Sequence, residues 1–401
     1  MGQEVRGPLS GLRVLEIAGY GALPFGGMLL GDLGADVIRI DRVSVLQTGY
    51  PFNPLDDPGT SRNRRSIAVN LKDERGIELV LDLVGKVDAF LEAFRPGVVE
   101  RLGLGPEQCL AVNPGLVYGR MTGWGQDGPY AQAAGHDMTY IALSGTLSVI
   151  GTSDAPPLPP VNILGNLAGG GMILALGVVA ALYHRLLTGE GQVVDAAMID
   201  GAALYNVQHY GLKAIGAWPG GRGENFMDTG AHFENVYLCA DGRYIAIATS
   251  EWYFYDVLLE CMSLTGEDLP DQWDRTAWPA MKRRFAEVFA SRTRDEWMQR
   301  FEGTDACAAP VLEPEEAPLH PHNAARNVFV EVGGVTMPSP APRFNRTPTM
   351  TPRPAPVLGI NTREVLEELG IETRRIDRLM AAGVTAERTA PSTGPQASRA
   401  R

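Results

Sequence analysis

Two groups of residues in this sequence have types and spacing that could do chemistry. The first is Gly135-His136-Asp137, which follows the Gly-rich loop 119–129 and is expected to open a helix running to residue 147. The macrodipole at a helix N-terminus disfavours imidazolium and leaves a neutral ring able to take a proton, so His136 is a candidate base. The competing reading is that His136 or Asp137 merely caps the helix. The second group is Ser61-Arg62-Asn63-Arg64-Arg65-Ser66, with Lys72 shortly after it and Arg39, Arg42 and Arg95 at the ends of other expected strands. Guanidinium forks pair with phosphate oxygens, and the carboxyl ends of parallel strands gather ligands, so the cluster suits a phosphorylated molecule. Equally open is a solvated loop whose arginines pair with surface acids. The other histidines (His184, His209, His232, His320 and His322) form no pattern for a metal or a nucleophilic triad, and no G-x-S-x-G elbow is present.

The elements that must position these residues alternate in type. Apolar strand signals at 12–17, 37–40, 66–70, 89–93 and 116–121 are separated by helix signals at 26–33, 74–84 and 97–112, the pattern of a parallel sheet covered by helices. The first part of the chain is therefore read as a Rossmann-like α/β domain. Its turn Gly19-x-Gly21 is only half a dinucleotide fingerprint, since Pro24 replaces the third glycine; Asp41 lies near the expected ribose partner, but NAD is discounted. An uncharged stretch, 161–183, is long enough to span a membrane, yet Asn162, Asn166 and Gly169 to Gly171 favour a helix buried against another backbone. Residues 189–206 are read as a strand followed by a helix. A hairpin with Asp241-Gly242 at its turn opens a smaller α+β domain, which continues through helices at 252–261 and 281–301. The expected division is a large domain over 1–220 completed by 326–386 through the Pro-rich segment 338–356, a small domain over 221–325, and a disordered tail from 387.

Composition narrows the function classes. The 401 residues are 45% hydrophobic and 20% charged, and 35 Lys plus Arg against 47 Asp plus Glu give a net charge of -12, so the chain is globular and repels nucleic acid. Any anionic ligand must meet a local basic cluster. Cys109, Cys239, Cys261 and Cys307 are scattered, which argues against a zinc site and a disulfide framework. The N-terminal residues have no apolar signal region, and a cytoplasmic protein without membrane, nucleic-acid or metal partners is expected.

Read together, segments 11–21, 29–41, 62–72, 94–107, 118–129, 135–145, 189–201, 239–244 and 340–344 resemble the family III CoA-transferase superfamily, and most closely its alpha-methylacyl-CoA racemases. The resemblance covers nearly the whole chain except the tail. It implies an interlocked homodimer and a role in fatty acid metabolism, with coenzyme A entering as part of a thioester substrate and no tightly bound cofactor. It also implies that CoA lies across Arg39, Arg62, Arg64, Arg65, Lys72 and Arg95. A histidine at the position of His136 would move the α-proton of a 2-methylacyl-CoA on one face, through an enolate, and an aspartate would serve the other face. Here Asn166 stands at that aspartate, and Leu238 stands where the racemases present a glutamate that partners the histidine.

A carboxamide is no base near neutral pH, and it cannot form the acyl anhydride of the transferases, so CoA transfer by that route is disfavoured. Racemisation then requires a substitute proton carrier, either Glu234, which shares strand parity with Leu238, or His232. The alternatives are one-face enolate chemistry (decarboxylation, elimination or cyclisation) from His136 with Asp137 beside it, Asn166 holding the thioester oxygen, or acyl-CoA binding without turnover.

Overall fold

The computed structural model describes residues 7–44, 57–349 and 351–388. The tail expected to be disordered lies, from residue 389, outside the described residues. The chain divides into two compact units, one of residues 1–141, 162–204 and 327–401, the other of residues 142–161 and 205–326.

In the first unit, β1 (Arg13–Ile17), α1 (Ala22–Asp32), β2 (Asp36–Arg42), β3 (Arg64–Val69), α2 (Glu74–Val84), β4 (Ala89–Glu92), α3 (Val98–Arg101), α4 (Pro106–Val112) and β5 (Val117–Thr122) follow in order. The helix expected over 97–112 is two helices, because Gly103 turns the backbone at φ +79° and Pro106 can only start a new one. After α5 (Asp137–Leu143), a π-helix (Ile163–Met172) continues directly into α6 (Ile173–Thr188), followed by β6 (Gln192–Ala197) and α7 (Met198–Leu204). Gly145, at φ +83°, separates α5 from a single 3-10 turn at Thr146–Val149, so the helix opened at residue 137 stops short of residue 147.

The second unit begins with α8 (Val207–Ala214). The hairpin β7 (Glu234–Leu238) and β8 (Tyr244–Ala248) turns at Asp241-Gly242, where Gly242 has φ +76°. Helices α9 (Trp252–Cys261), α10 (Trp278–Phe289) and α11 (Arg294–Phe301) follow, then β9 (Ala308–Pro310), which pairs with β8 in a three-stranded antiparallel sheet, and α12 (Pro321–Ala325). The helix expected over 281–301 is broken where Thr293 and Glu296 form a capping box that starts α11. Residues 142–161 and 205–220, expected in the large domain, belong to this unit; the Arg222 guanidinium ties the first stretch down by donating to the carbonyls of Thr152 and Ala155.

The chain then returns to the first unit through the hairpin β10 (Phe329–Val332) and β11 (Val335–Pro338), followed by α13 (Thr362–Glu368), α14 (Thr373–Ala381) and β12 (Thr385–Ala386). The main sheet has the order β12-β3-β2-β1-β4-β5-β6 and is parallel throughout except for β12. Strands β3, β4 and β5 are buried along their whole length, as strands covered on both faces must be. Direction of progression reverses between β1 and β4, and beyond the carboxyl ends of those two strands the doubly wound fold leaves a crevice.

The apolar run 163–188 is 26 residues long, an 18-residue window within it has mean hydropathy 1.9, and it is glycine-rich where it meets other backbones. A Cβ at Gly171 would lie 2.5 Å from the Ala22 carbonyl oxygen, and one at Gly201 would lie 1.9 Å from that of Gly169. Helices α1, α7 and the π-helix therefore approach at a distance only glycine permits. The other side of α6 leaves Leu176, Tyr183, Leu186 and Leu187 exposed.

Candidate active site

The crevice between β1 and β4 holds a cavity of about 470 Å³. Ala18 to Tyr20 line it after β1, Arg42 from the end of β2, Ala93 to Pro96 after β4, Met121 to Trp124 from β5, and His136 and Tyr140 from the start of α5. His136 is exposed on this wall, and its backbone N–H donates to Thr139 Oγ1 at 3.0 Å. Gly123 and Gly135 are glycines because a Cβ on either would strike the Tyr140 ring, at 2.3 Å and 2.5 Å. Trp124 packs edge-on to that ring with centroids 4.8 Å apart, and its buried indole N–H has no hydrogen-bond partner among the described residues.

The structure separates the arginines that the sequence groups together. Arg64, the first residue of β3, forms a fully buried pair with Glu16 of β1 at 3.0 Å and also donates to the carbonyls of Thr60 and Pro24. Gly27 of α1 leaves room for this pair, since a Cβ there would fall 1.9 Å from Glu16 Oε2. Arg62 holds Asp32 with two bonds and donates to the Pro338 carbonyl. Arg65 is bound by Asp36 and by Glu368 of α13, and Arg39 by Asp41 and Ser61. These four side chains are buried ties between segments, neither a solvated loop nor an open phosphate cradle. Asp41, near the expected ribose position, is enclosed with Arg39 and Ser66, and burial outweighs those partners to push its carboxyl upward. Lys72 is exposed. Of the six expected CoA contacts only Arg95 lines the cavity, where Arg42 joins it; neither has a carboxylate partner among the described residues.

Asn166 lies in the first turn of the π-helix. Its Nδ2 donates to Asn162 Oδ1 at 2.9 Å, and its backbone N–H donates to Asp137 Oδ1 at 2.6 Å. Gly21, in the half-fingerprint, serves this residue, since a Cβ there would come within 3.0 Å of Asn166 Nδ2. Asp137 is buried and does not line the cavity. Sequence reasoning missed Asn162, Gly165 and Gly21 as supports of Asn166; the glycines were the available signal.

In the second unit, Glu234 is half-buried, accepts from Ser250 Oγ at 3.2 Å, and has its carboxyl raised by burial and by the nearby Glu251 charge. Leu238 is exposed at the other end of the same strand. His232 is a correction. It is 1% exposed, packed against Phe233, Tyr255 and Phe285, and its Nε2 is bonded to the Tyr255 hydroxyl at 2.7 Å. Burial pushes it down to about 4, so it is a neutral core residue without solvent access and no proton carrier. Among the described residues no three His, Cys, Asp or Glu gather as a metal site would require.

Fold and site together define a doubly wound α/β protein whose switch-point crevice presents one histidine and two arginines. Comparison with known proteins makes that class specific. The family model of CoA-transferase family III matches residues 9–362, and the chain belongs to that family. It is 43% identical to the alpha-methylacyl-CoA racemase of Mus musculus over 92% of this chain and 96% of that one, and 41% identical to that of Homo sapiens over the same shares. It is 29% identical to the succinyl-CoA:glutarate CoA-transferase of Homo sapiens, over 94% of this chain and 90% of that one. Among solved structures, a CaiB/BaiF family protein from Brucella suis matches with a TM-score of 0.78 at 26% identity, covering 91% of this chain and all of that one.

Proposed function

We propose that the protein epimerises the α-carbon of a 2-methylacyl-CoA thioester. His136 takes the α-proton, its electron pair passes into the thioester carbonyl to give an enolate, and a proton returned to the opposite face of that carbon completes the inversion. Arg42 and Arg95 hold phosphates of the CoA moiety as guanidinium groups without a carboxylate partner among the described residues, in an otherwise acidic protein. The observation that carries this reading is the position of His136, exposed in the switch-point cavity beside those arginines. The 41–43% identity to racemases over 92% of the chain supports it. Of the two substitute carriers, Glu234 remains, a half-buried carboxyl whose pKa is raised by burial.

A second reading is favoured by Asn166, whose amide is no base near neutral pH: enolate chemistry on one face only. Incubation in D2O with one enantiomer of a 2-methylacyl-CoA decides between them. Deuterium uptake at C2 with loss of configuration supports epimerisation, uptake with retention supports one-face chemistry, and no uptake refutes both. We further propose a homodimer closed over the exposed leucines of α6, and a cytoplasmic setting, which the four unpaired cysteines favour. Sedimentation of the intact protein as a monomer would refute the first.

A further inference from the structure

We infer that Asp137 is a positioning residue whose buried carboxylate braces the His136 segment against the start of the helix carrying Asn166. The inference rests on the proposed chemistry for its kinetic consequences, though not for its structural ones. The helical run 163–188 begins with a π-helix, in which N–H groups bond five residues back, so the N–H groups of its first turn have no partner within the helix. Asn162, at the N-cap, stands at φ +63° and makes no side-chain cap. The missing acceptor comes from 29 residues upstream, where Asp137 Oδ1 takes the Asn166 N–H at 2.6 Å.

Three further observations make this a built brace. A carboxylate at the head of so long a helical run also faces the positive end of its dipole. Gly165 is the residue that lets the carboxylate in, because a Cβ there would lie 2.8 Å from Asp137 Oδ1. Asp137 is 5% exposed and absent from the cavity wall, so it does not meet a molecule bound beside His136. One residue thus follows His136 in the chain and grips the backbone of Asn166. It sets how far apart the two lie, and no element of regular structure joins them directly.

The test compares Asp137→Ala with Asp137→Asn, whose amide oxygen can still accept the Asn166 N–H. Two readouts are taken: α-deuterium exchange into 2-methylacyl-CoA, resolved into kcat and KM, and amide hydrogen exchange of residues 163–172 without substrate. In Asp137→Ala, kcat should fall about 100-fold, as misplacement near 1 Å does, with KM within about threefold. Amide exchange over 163–172 should quicken by roughly 10-fold or more as a charge-assisted bond is lost. Asp137→Asn should recover both to within about tenfold.

Full kcat and parental amide protection in Asp137→Ala would overturn the inference. So would an Asp137→Asn protein as inactive as Asp137→Ala with protection intact, which would make the carboxylate a chemical participant. Should the parent protein exchange no α-proton at all, the proposed function fails, and the amide protection of the two variants still decides the brace.

Discussion

Replacing Arg64 tests whether the basic cluster holds the fold or the ligand. The Arg64 and Glu16 side chains are both 0% exposed and 3.0 Å apart, under a helix that only a glycine at position 27 brings close enough. In Arg64→Ala the Glu16 carboxylate stays buried without its counter-charge, a loss of about 3–5 kcal/mol. At about 2–4 °C per kcal/mol for a unit of this size, the melting temperature should drop by roughly 6–20 °C. Arg95→Ala removes an exposed guanidinium from the cavity wall, so its melting temperature should hold. There the loss appears in CoA affinity, where one charge-assisted bond is worth about 1.5–3 kcal/mol, or roughly 10- to 150-fold in Kd, with a shallower salt dependence. Thermal unfolding and calorimetric titration with CoA at low and high salt measure both quantities. Adding Glu16→Gln to Arg64→Ala should restore part of the stability, because the uncompensated charge is gone. If Arg64→Ala melts like the parent and no longer binds CoA, the reasoning that buried strand arginines are structural is refuted.

Other expectations are as direct. His136→Ala should abolish α-proton exchange and leave the CoA Kd within about twofold, and retained exchange would move the base elsewhere. Glu234→Gln should stop configurational inversion while one-face deuterium uptake survives; unchanged racemisation would remove Glu234 from the chemistry. Gly21→Ala should cost about 1–2 kcal/mol, since φ is +67°, and should reduce turnover by pressing on the Asn166 amide; a parental melting temperature and kcat would contradict it. The burial of His232 sets a pH dependence. Its folded value, down to about 4, lies below the unfolded 6.5, so the unfolded chain binds the proton first. The contribution of His232 to stability should fall by about 3 kcal/mol as pH drops from 6.5 to 4, and then level off. Urea unfolding across that range should show the slope reduced in His232→Phe, and an equal slope in both proteins would refute the assignment.

The alternation of apolar strands and helices was legible in the sequence because strands buried on both faces are continuous apolar runs, and most of their limits fell within a residue or two of those observed. The Asp241-Gly242 hairpin was legible because so few residues adopt its turn. Local breaks were harder: Gly103 before Pro106 and the Thr293 capping box each split one apolar pattern into two helices, since periodicity carries across a break that backbone geometry does not. Of the site, that an imidazole at position 136 can carry a proton near neutral pH and that a carboxamide at position 166 cannot act as a base belong to residue type, which sequence alone settles.

Partnership belongs to the fold. Arg62, Arg64 and Arg65 find their acids 30, 48 and 303 positions away, so nothing local distinguishes them from Arg95, which finds none among the described residues. His232 and Glu234 stand two positions apart. Tertiary packing put one imidazole among aromatic rings and left one carboxylate at a half-open surface. Asp137 shows the same division: its adjacency to His136 is written in the chain, while its grip on Asn166 exists only because a helix without its own cap ends beside it.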